Sequence, residues 1–210
     1  MASAFLYSHW NTKDHKYMDT NNMQEKIREI RKEFFAFRNG IVADNLRRAG
    51  DPHSMIMGCL LVDISGIAKR VRNDIGDAKQ LEVIAQELWN DTNSRECRLA
   101  APMLYPAESM TLELASTWCD TVETVEIADN LCHKLLRHLK DAPSLMRLLI
   151  AQESALVKYT GYRLLLNLLL LGKVKPNTTL RDIVEDEAIR ALPPLKTLLR
   201  DILEELGAPD

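Results

Sequence analysis

Apolar side chains recur at every third or fourth position through most of this chain, the period of amphipathic helices. Met23, Ile27, Ile30, Phe34 and Phe37 form one stripe on a helix over 20–38, and Asn39-Gly40 stops it with a glycine suited to a left-handed cap. A short helix over 41–49 ends at Gly50-Asp51-Pro52. In 53–76, the series Met55, Met57, Leu60, Leu61, Ile64, Ile67, Ala68 and Val71 predicts one helix or a broken pair, with the break at Gly58 or Asp63. Leu81, Ile84, Ala85, Leu88 and Trp89 share a face over 77–90, and Asn93-x-x-Glu96 reads as a capping box opening 94–104. Pro106 closes that region, Thr111 caps 111–121, and 124–139 turns Val125, Ala128, Leu131, Cys132, Leu135, Leu136 and Leu139 inward. Asp141-Ala142-Pro143 opens 143–152. Helix 154–171 is apolar on nearly every side beyond Arg163, so neighbours must cover both its flanks. Gly172 and Pro176 end it, Thr179-x-x-Asp182 opens 179–191, and Pro193-Pro194 begins a last helix to Leu206. Residues 1–19 lack this periodicity and read as a loosely held arm ahead of a single helical domain over 20–210.

Helices of this length on short turns make consecutive antiparallel pairs. A pair cannot bury its inner face alone, so stacking into a curved α-α superhelix follows, with a compact bundle as the alternative. Composition agrees with an all-α class: 46% of the 210 residues are apolar, glycine and proline number 8 each, and no run of alternating β-branched residues suggests a strand. The amino-terminal stretch has no basic start followed by an apolar core, and the run Leu164–Leu171 is too short to span a bilayer. A soluble cytoplasmic protein is expected. The four cysteines, Cys59, Cys97, Cys119 and Cys132, lack paired spacing and read as reduced core thiols, and no cluster has metal-ligand spacing, so no metal is expected.

Charge changes the picture only locally. The net charge of -3 argues against a uniformly basic surface, yet residues 1–50 carry nine basic against six acidic groups, and 141–176 five against two. Candidate chemistry gathers at two places. Trp118-Cys119-Asp120-Thr121-Val122-Glu123 packs aromatic and acidic residues into a helix-to-helix corner, with Asp120 and Glu123 three apart and able to share one side of a turn. Equally, Glu123 and Glu126 suit the start of the following helix. On 154–171, Lys158, Tyr159, Tyr162 and Arg163 fall within a sector of about 140°, a basic-aromatic patch suited to phosphate and sugar or to snorkelling side chains at a solvated end. Lys69-Arg70-x-Arg72 and Arg47-Arg48 read as exposed faces, with phosphate contact as the alternative. Cys132-His133 diverge on a helix and do not form a nucleophile pair.

Leu88-Trp89 followed by Ser94-Arg95-Glu96 and Leu99-Ala100, and then the W-x-D-T-V-E corner at Trp118 to Glu123, resemble two signatures of the AlkD-like DNA alkylation repair proteins. The resemblance covers about residues 20 to 175. It implies a HEAT-like repeat solenoid whose concave basic face grips duplex DNA, acting as a monomer without metal or organic cofactor. It further implies a DNA glycosylase releasing cationic N3- and N7-alkylated purines, with a carboxylate stabilising the oxocarbenium-like deoxyribose. By position, the catalytic aspartate of the family falls on Glu123, beside Asp120, and the aromatic four residues earlier on Cys119, next to Trp118. The supporting arginine falls on Lys158, among Tyr159, Tyr162 and Arg163, and no tryptophan follows Trp118. These departures leave two other readings: a non-catalytic binder of DNA structure, and a protein-interaction scaffold.

Overall fold

The computed structural model describes residues 20–207. They form eleven α-helices: α1 (Thr20–Ala36), α2 (Gly40–Arg48), α3 (Leu61–Ile75), α4 (Ala78–Asn90), α5 (Arg95–Leu104), α6 (Leu112–Asp120), α7 (Val125–Lys134), α8 (Ala142–Ile150), α9 (Ala155–Leu170), α10 (Thr178–Arg190) and α11 (Leu195–Leu206). Among the described residues there is no strand, only an isolated bridge between Met55 and Ser94. The proposed arm over 1–19 lies outside the described residues. No helix among them is long and apolar enough to cross a membrane.

Short polar side chains set most helix starts. Asn39, Asp77, Ser94, Thr111, Thr124 and Asn177 each accept a hydrogen bond from a first-turn amide and occupy an otherwise free donor. Helices α3, α5, α7 and α9 then stand side by side as one row. Long-range contacts fix the direction of three of them. Arg95 at the start of α5 meets Glu126 at the start of α7, Asn130 in mid-α7 donates to Leu99 O in mid-α5, and Arg72 at the end of α3 donates to Met103 O at the end of α5. So α3, α5 and α7 run parallel, with intervening helices packed behind, the layout of a HEAT-like solenoid. The core is continuous through the row, and α9 is buried on most sides, as its apolar periphery requires.

Three expectations need correction. Residues 53–60 are not helical, because the Met57, Gly58 and Cys59 amides are all drawn to the Glu96 carboxylate and Met57 O accepts from Asn39 N. For the same reason Glu96 is not half of a capping box: Ser94 caps α5 alone, and Glu96 is fully buried against the neighbouring segment. Finally, 124–139 breaks after Lys134 into a 3-10 turn at Leu136–His138, which lets the adjacent Leu135 and Leu136 both point into the core.

The contact of α8 with α9 is close enough to demand glycine. A Cβ on Gly161 would lie 2.7 Å from Ile150 N and 2.9 Å from Leu149 Cβ. Gly161→Ala is therefore expected to destabilise the fold by about 1–3 kcal/mol, the usual range for overpacking. Thermal unfolding should show a midpoint lower by about 2–4 °C for each kcal/mol lost; an unchanged midpoint would contradict this packing.

Candidate functional site

The corner between α6 and α7 is tied at several points. The Thr121 amide caps α6 by donating to Trp118 O, and the Thr121 hydroxyl also donates to Trp118 O while accepting from Trp89 Nε1 at 3.1 Å. Thr124 caps α7, so Glu123 sits in the bend just before the cap. Behind the bend the Trp89 and Trp118 rings stack nearly parallel with centroids 4.3 Å apart, and Tyr105 meets Trp118 edge-on. Trp118 Nε1 donates to Gln86 Oε1, so its polar edge is satisfied in the interior.

Arg98 of α5 completes the stack from the other side. Its guanidinium lies 3.7 Å from the Trp89 ring centroid and donates to Trp89 O at 2.7 Å and to Thr121 O. Its Nε faces Glu123 Oε2 at 3.2 Å. Burial pulls this guanidinium below its ordinary pKa range, with the Glu123 carboxylate opposing; it remains the cation of the site. On the same Oε2, His53 Nε2 approaches to 3.2 Å, while His53 Nδ1 meets Asp51 Oδ1 at 2.6 Å. His53 and Arg98 are enclosed; the Glu123 side chain keeps 29% of its surface open. His53 Nε2, Arg98 Nε and Glu123 Oε2 face one another without an aligned hydrogen bond, an unsatisfied polar knot of the kind concentrated at functional sites. The bend thus presents a carboxylate fixed from behind and open in front.

A second charged cluster, within the same turn of α5, is structural. Arg95 forks the Glu126 carboxylate at 2.5 and 2.7 Å and reaches Glu96, whose carboxylate gathers the amides of residues 57–59. Gly58 in that segment has φ +76°, and a Cβ there would be 2.2 Å from Asn39 O. Arg95 and Glu96, prominent in the sequence signature, therefore splice the loop before α3 onto α5.

The expected site residues separate. Glu123 is at the open bend, and Asp120 is exposed at the end of α6. Trp118 and Cys119 are fully buried and offer no surface to a ligand here. The basic-aromatic patch of α9 divides between two neighbours. Lys158 pairs with Glu187 of α10 at 3.5 Å, whereas Tyr159 and Arg163 both meet Asp129 of α7, at 2.9 and 3.2 Å. Tyr159 and Tyr162 are buried core, and burial raises both phenols, Tyr162 to about 12. Glu123 and Lys158 thus have different partners rather than a shared one. The sequence pattern marks neither His53 nor Arg98. His53 follows the Gly50-Asp51-Pro52 stop and meets its partner 70 residues on, and Arg98 interrupts an apolar stripe without any local signal.

Among the described residues no group of three or more His, Cys, Asp or Glu side chains is placed to hold a metal ion. The row of parallel helices and its charged bend define a HEAT-like helical repeat protein. The fold is similar, with a TM-score of 0.71 and 16% identity over 86% of this chain and 75% of the other, to a solved structure described as "A new family of proteins related to the HEAT-like repeat DNA glycosylases with affinity for branched DNA structures". Comparison with curated proteins gives no match. A family model described as DNA alkylation repair enzyme matches residues 30–181, and the chain belongs to that family.

Two outcomes test this description. Arg98→Met leaves the carbonyls of Trp89 and Thr121 and the Glu123 carboxylate without their cation, and should cost about 3–5 kcal/mol in urea unfolding. Arg98→Lys should recover only part, since an ammonium lacks the planar fork; a midpoint unchanged in Arg98→Met would contradict the brace. All four thiols are buried and raised by that burial, Cys97 to about 11 and Cys59 to about 12, with Cys119 and Cys132 also pushed up. A thiol reagent at pH 8 should label the native protein slowly and all four after denaturation. Rapid labelling of Cys119 would contradict its place in the core.

Proposed function

We propose that the protein binds duplex DNA along the helical row, and that Glu123 faces the deoxyribose of a cationic N3- or N7-alkylated purine as the base departs. The observation that carries this reading is the Glu123 carboxylate itself, held by Arg98 and His53 from the interior yet partly open at the bend. An anion already fixed in place stabilises a developing oxocarbenium charge without reorganising at the moment of reaction. The lesion's own positive charge makes the base a good leaving group, so no strong acid is needed. Asp120, exposed on the preceding turn, adds negative potential at the same corner. In this reading Trp118 and Cys119 act by packing the corner, and Tyr159 and Tyr162 by packing α9. Lys158 and Arg163 turn to phosphates by exchanging the carboxylates of Glu187 and Asp129 for the DNA backbone.

A second reading, recognition of DNA structure without excision, draws on a specific observation. The Arg98 guanidinium shares the oxygen Oε2 of Glu123 with His53 Nε2 and offsets part of the charge a departing base would feel. The fold-related protein with affinity for branched DNA is consistent with it. Incubation with methylated duplex separates the two. Release of 3- or 7-methylpurine by wild type, reduced about 10²-fold or more in Glu123→Gln, supports excision. Salt-dependent binding without release supports the second reading, and neither binding nor release overturns both.

A further inference from the structure

The imidazole behind Glu123 is placed more closely than packing requires. The His53 ring is fully enclosed, with Nδ1 2.6 Å from Asp51 Oδ1 and Nε2 3.2 Å from Glu123 Oε2. Asp51 Oδ1 also accepts the His53 backbone N–H at 3.0 Å. That oxygen is an acceptor, so the hydrogen bonds assign the ring proton to Nδ1 and leave the Nε2 lone pair toward Glu123. The segment carrying both residues is tied at either end: Asp51 N donates to Leu46 O at 3.1 Å, and Met55 N to Asn93 O at 2.8 Å.

Anchoring of the turn accounts for the Asp51 contacts, which are local. It does not account for Nε2, which meets a carboxylate 70 residues on without an aligned hydrogen bond. Two acceptors, Nε2 and Oε2, face each other at 3.2 Å, and Arg98 Nε lies 3.2 Å from the same oxygen. The gap between them is a place for a proton. An acid that fixes an imidazole through Nδ1, so that Nε2 meets the reacting group, is the arrangement of hydrolytic proton acceptors.

Hydrolysis of a glycosidic bond supplies such a proton. The alkylated base departs with the electrons of its bond to C1′, water adds to the positive carbon through an oxygen lone pair, and one O–H bond of that water must break. Kept on Glu123, the proton would cancel the carboxylate. We propose that His53, oriented by Asp51, accepts this proton by way of Glu123. Oε2 is buried while part of the side chain is open, which leaves the second carboxylate oxygen to take the proton from water. A half-turn of the carboxyl group, about a soft torsion, then brings the proton to Nε2. Glu123 returns to its anion, and the positive charge that began on C1′ ends on the imidazole. The charged groups facing that imidazolium are Asp51 on its own segment, Glu123 from the bend and, across Glu123, Arg98 of α5. The relay rests on the excision reading of Glu123, and it makes Asp51 and His53 positioning and proton-holding residues for that reaction.

Single-turnover release of 7-methylguanine from methylated duplex tests the relay in wild type, His53→Gln and Asp51→Asn. A departed base still held in the site can recombine until water is captured, so release reads the proton transfer. A glutamine amide can donate to Glu123 but binds no proton. His53→Gln should release base about 10²-fold more slowly and Asp51→Asn about tenfold more slowly. Both should keep, at about pH 8, the wild-type preference for duplex with a cationic cyclic-amine sugar analogue over its neutral tetrahydrofuran counterpart. In wild type that preference should fall at least about threefold from about pH 8 to about pH 5.5, as an imidazolium competes for the carboxylate, and in His53→Gln it should stay level. Circular dichroism identifies a variant that does not fold; Asp51→Asn, which changes a single heavy atom, then decides. Release unchanged in the variants overturns the relay. Release and cation preference lost together also overturn it, since His53 would then only hold Glu123 in place. No release by wild type overturns the excision reading itself, and the relay with it.

Discussion

A buried guanidinium holds the open corner between α6 and α7 together. Arg98 lies on the face of Trp89, spans to the backbone oxygens of Trp89 and Thr121, and meets the Glu123 carboxylate. Those contacts connect the end of α4, the start of α5 and the bend between α6 and α7. A lone cation this deep would cost several kcal/mol in lost hydration, so the carbonyls and the carboxylate are as necessary to Arg98 as it is to them. The tryptophan stack adds shape to the same junction, since parallel rings with centroids 4.3 Å apart fix the distance between α4 and α6.

Burying the brace leaves only its far end for chemistry. The two rings, Tyr105 and Cys119 fill the space behind the bend. What solvent meets is the Glu123 carboxylate and, one turn earlier, Asp120. Arg95 and Glu96 work in the same way on the loop before α3, where three amides converge on one carboxylate. The charged residues of this turn of α5 thus divide between two splices, Arg95 ending at Glu126 and Arg98 at the partly open Glu123. The opposite edge of the row inverts this arrangement, with Lys69, Arg72 and Lys134 lining a cleft to whose wall no carboxylate contributes.

The helices were readable in the sequence because their signals are local. Apolar spacing and a capping side chain such as Thr111 act within one or two turns, and helix boundaries fall within a few residues of expectation. The segment 53–60 escaped this logic because its amides answer to Glu96, nearly 40 residues away. The bend at Glu123 was legible as a motif, through its resemblance to a known corner. Its partners His53 and Arg98 were not, since nothing in spacing ties position 53 to position 123. The patch on α9 shows the converse error: bearings on a helix give which side chains are neighbours, but not which adjacent helix covers them. Lys158 and Arg163 share a helix and look to carboxylates on different ones.

The central claim is electrostatic: a carboxylate positioned by Arg98 and His53 favours positive charge at the sugar of bound DNA. Affinity for a duplex carrying a cationic cyclic-amine deoxyribose analogue, compared with the same duplex carrying its neutral tetrahydrofuran counterpart, measures that preference whether or not a base is ever released. The account predicts that wild type favours the cationic duplex by about tenfold or more, roughly 1.4 kcal/mol, and that Glu123→Gln binds the two alike. Equal affinity of wild type for both duplexes would contradict it.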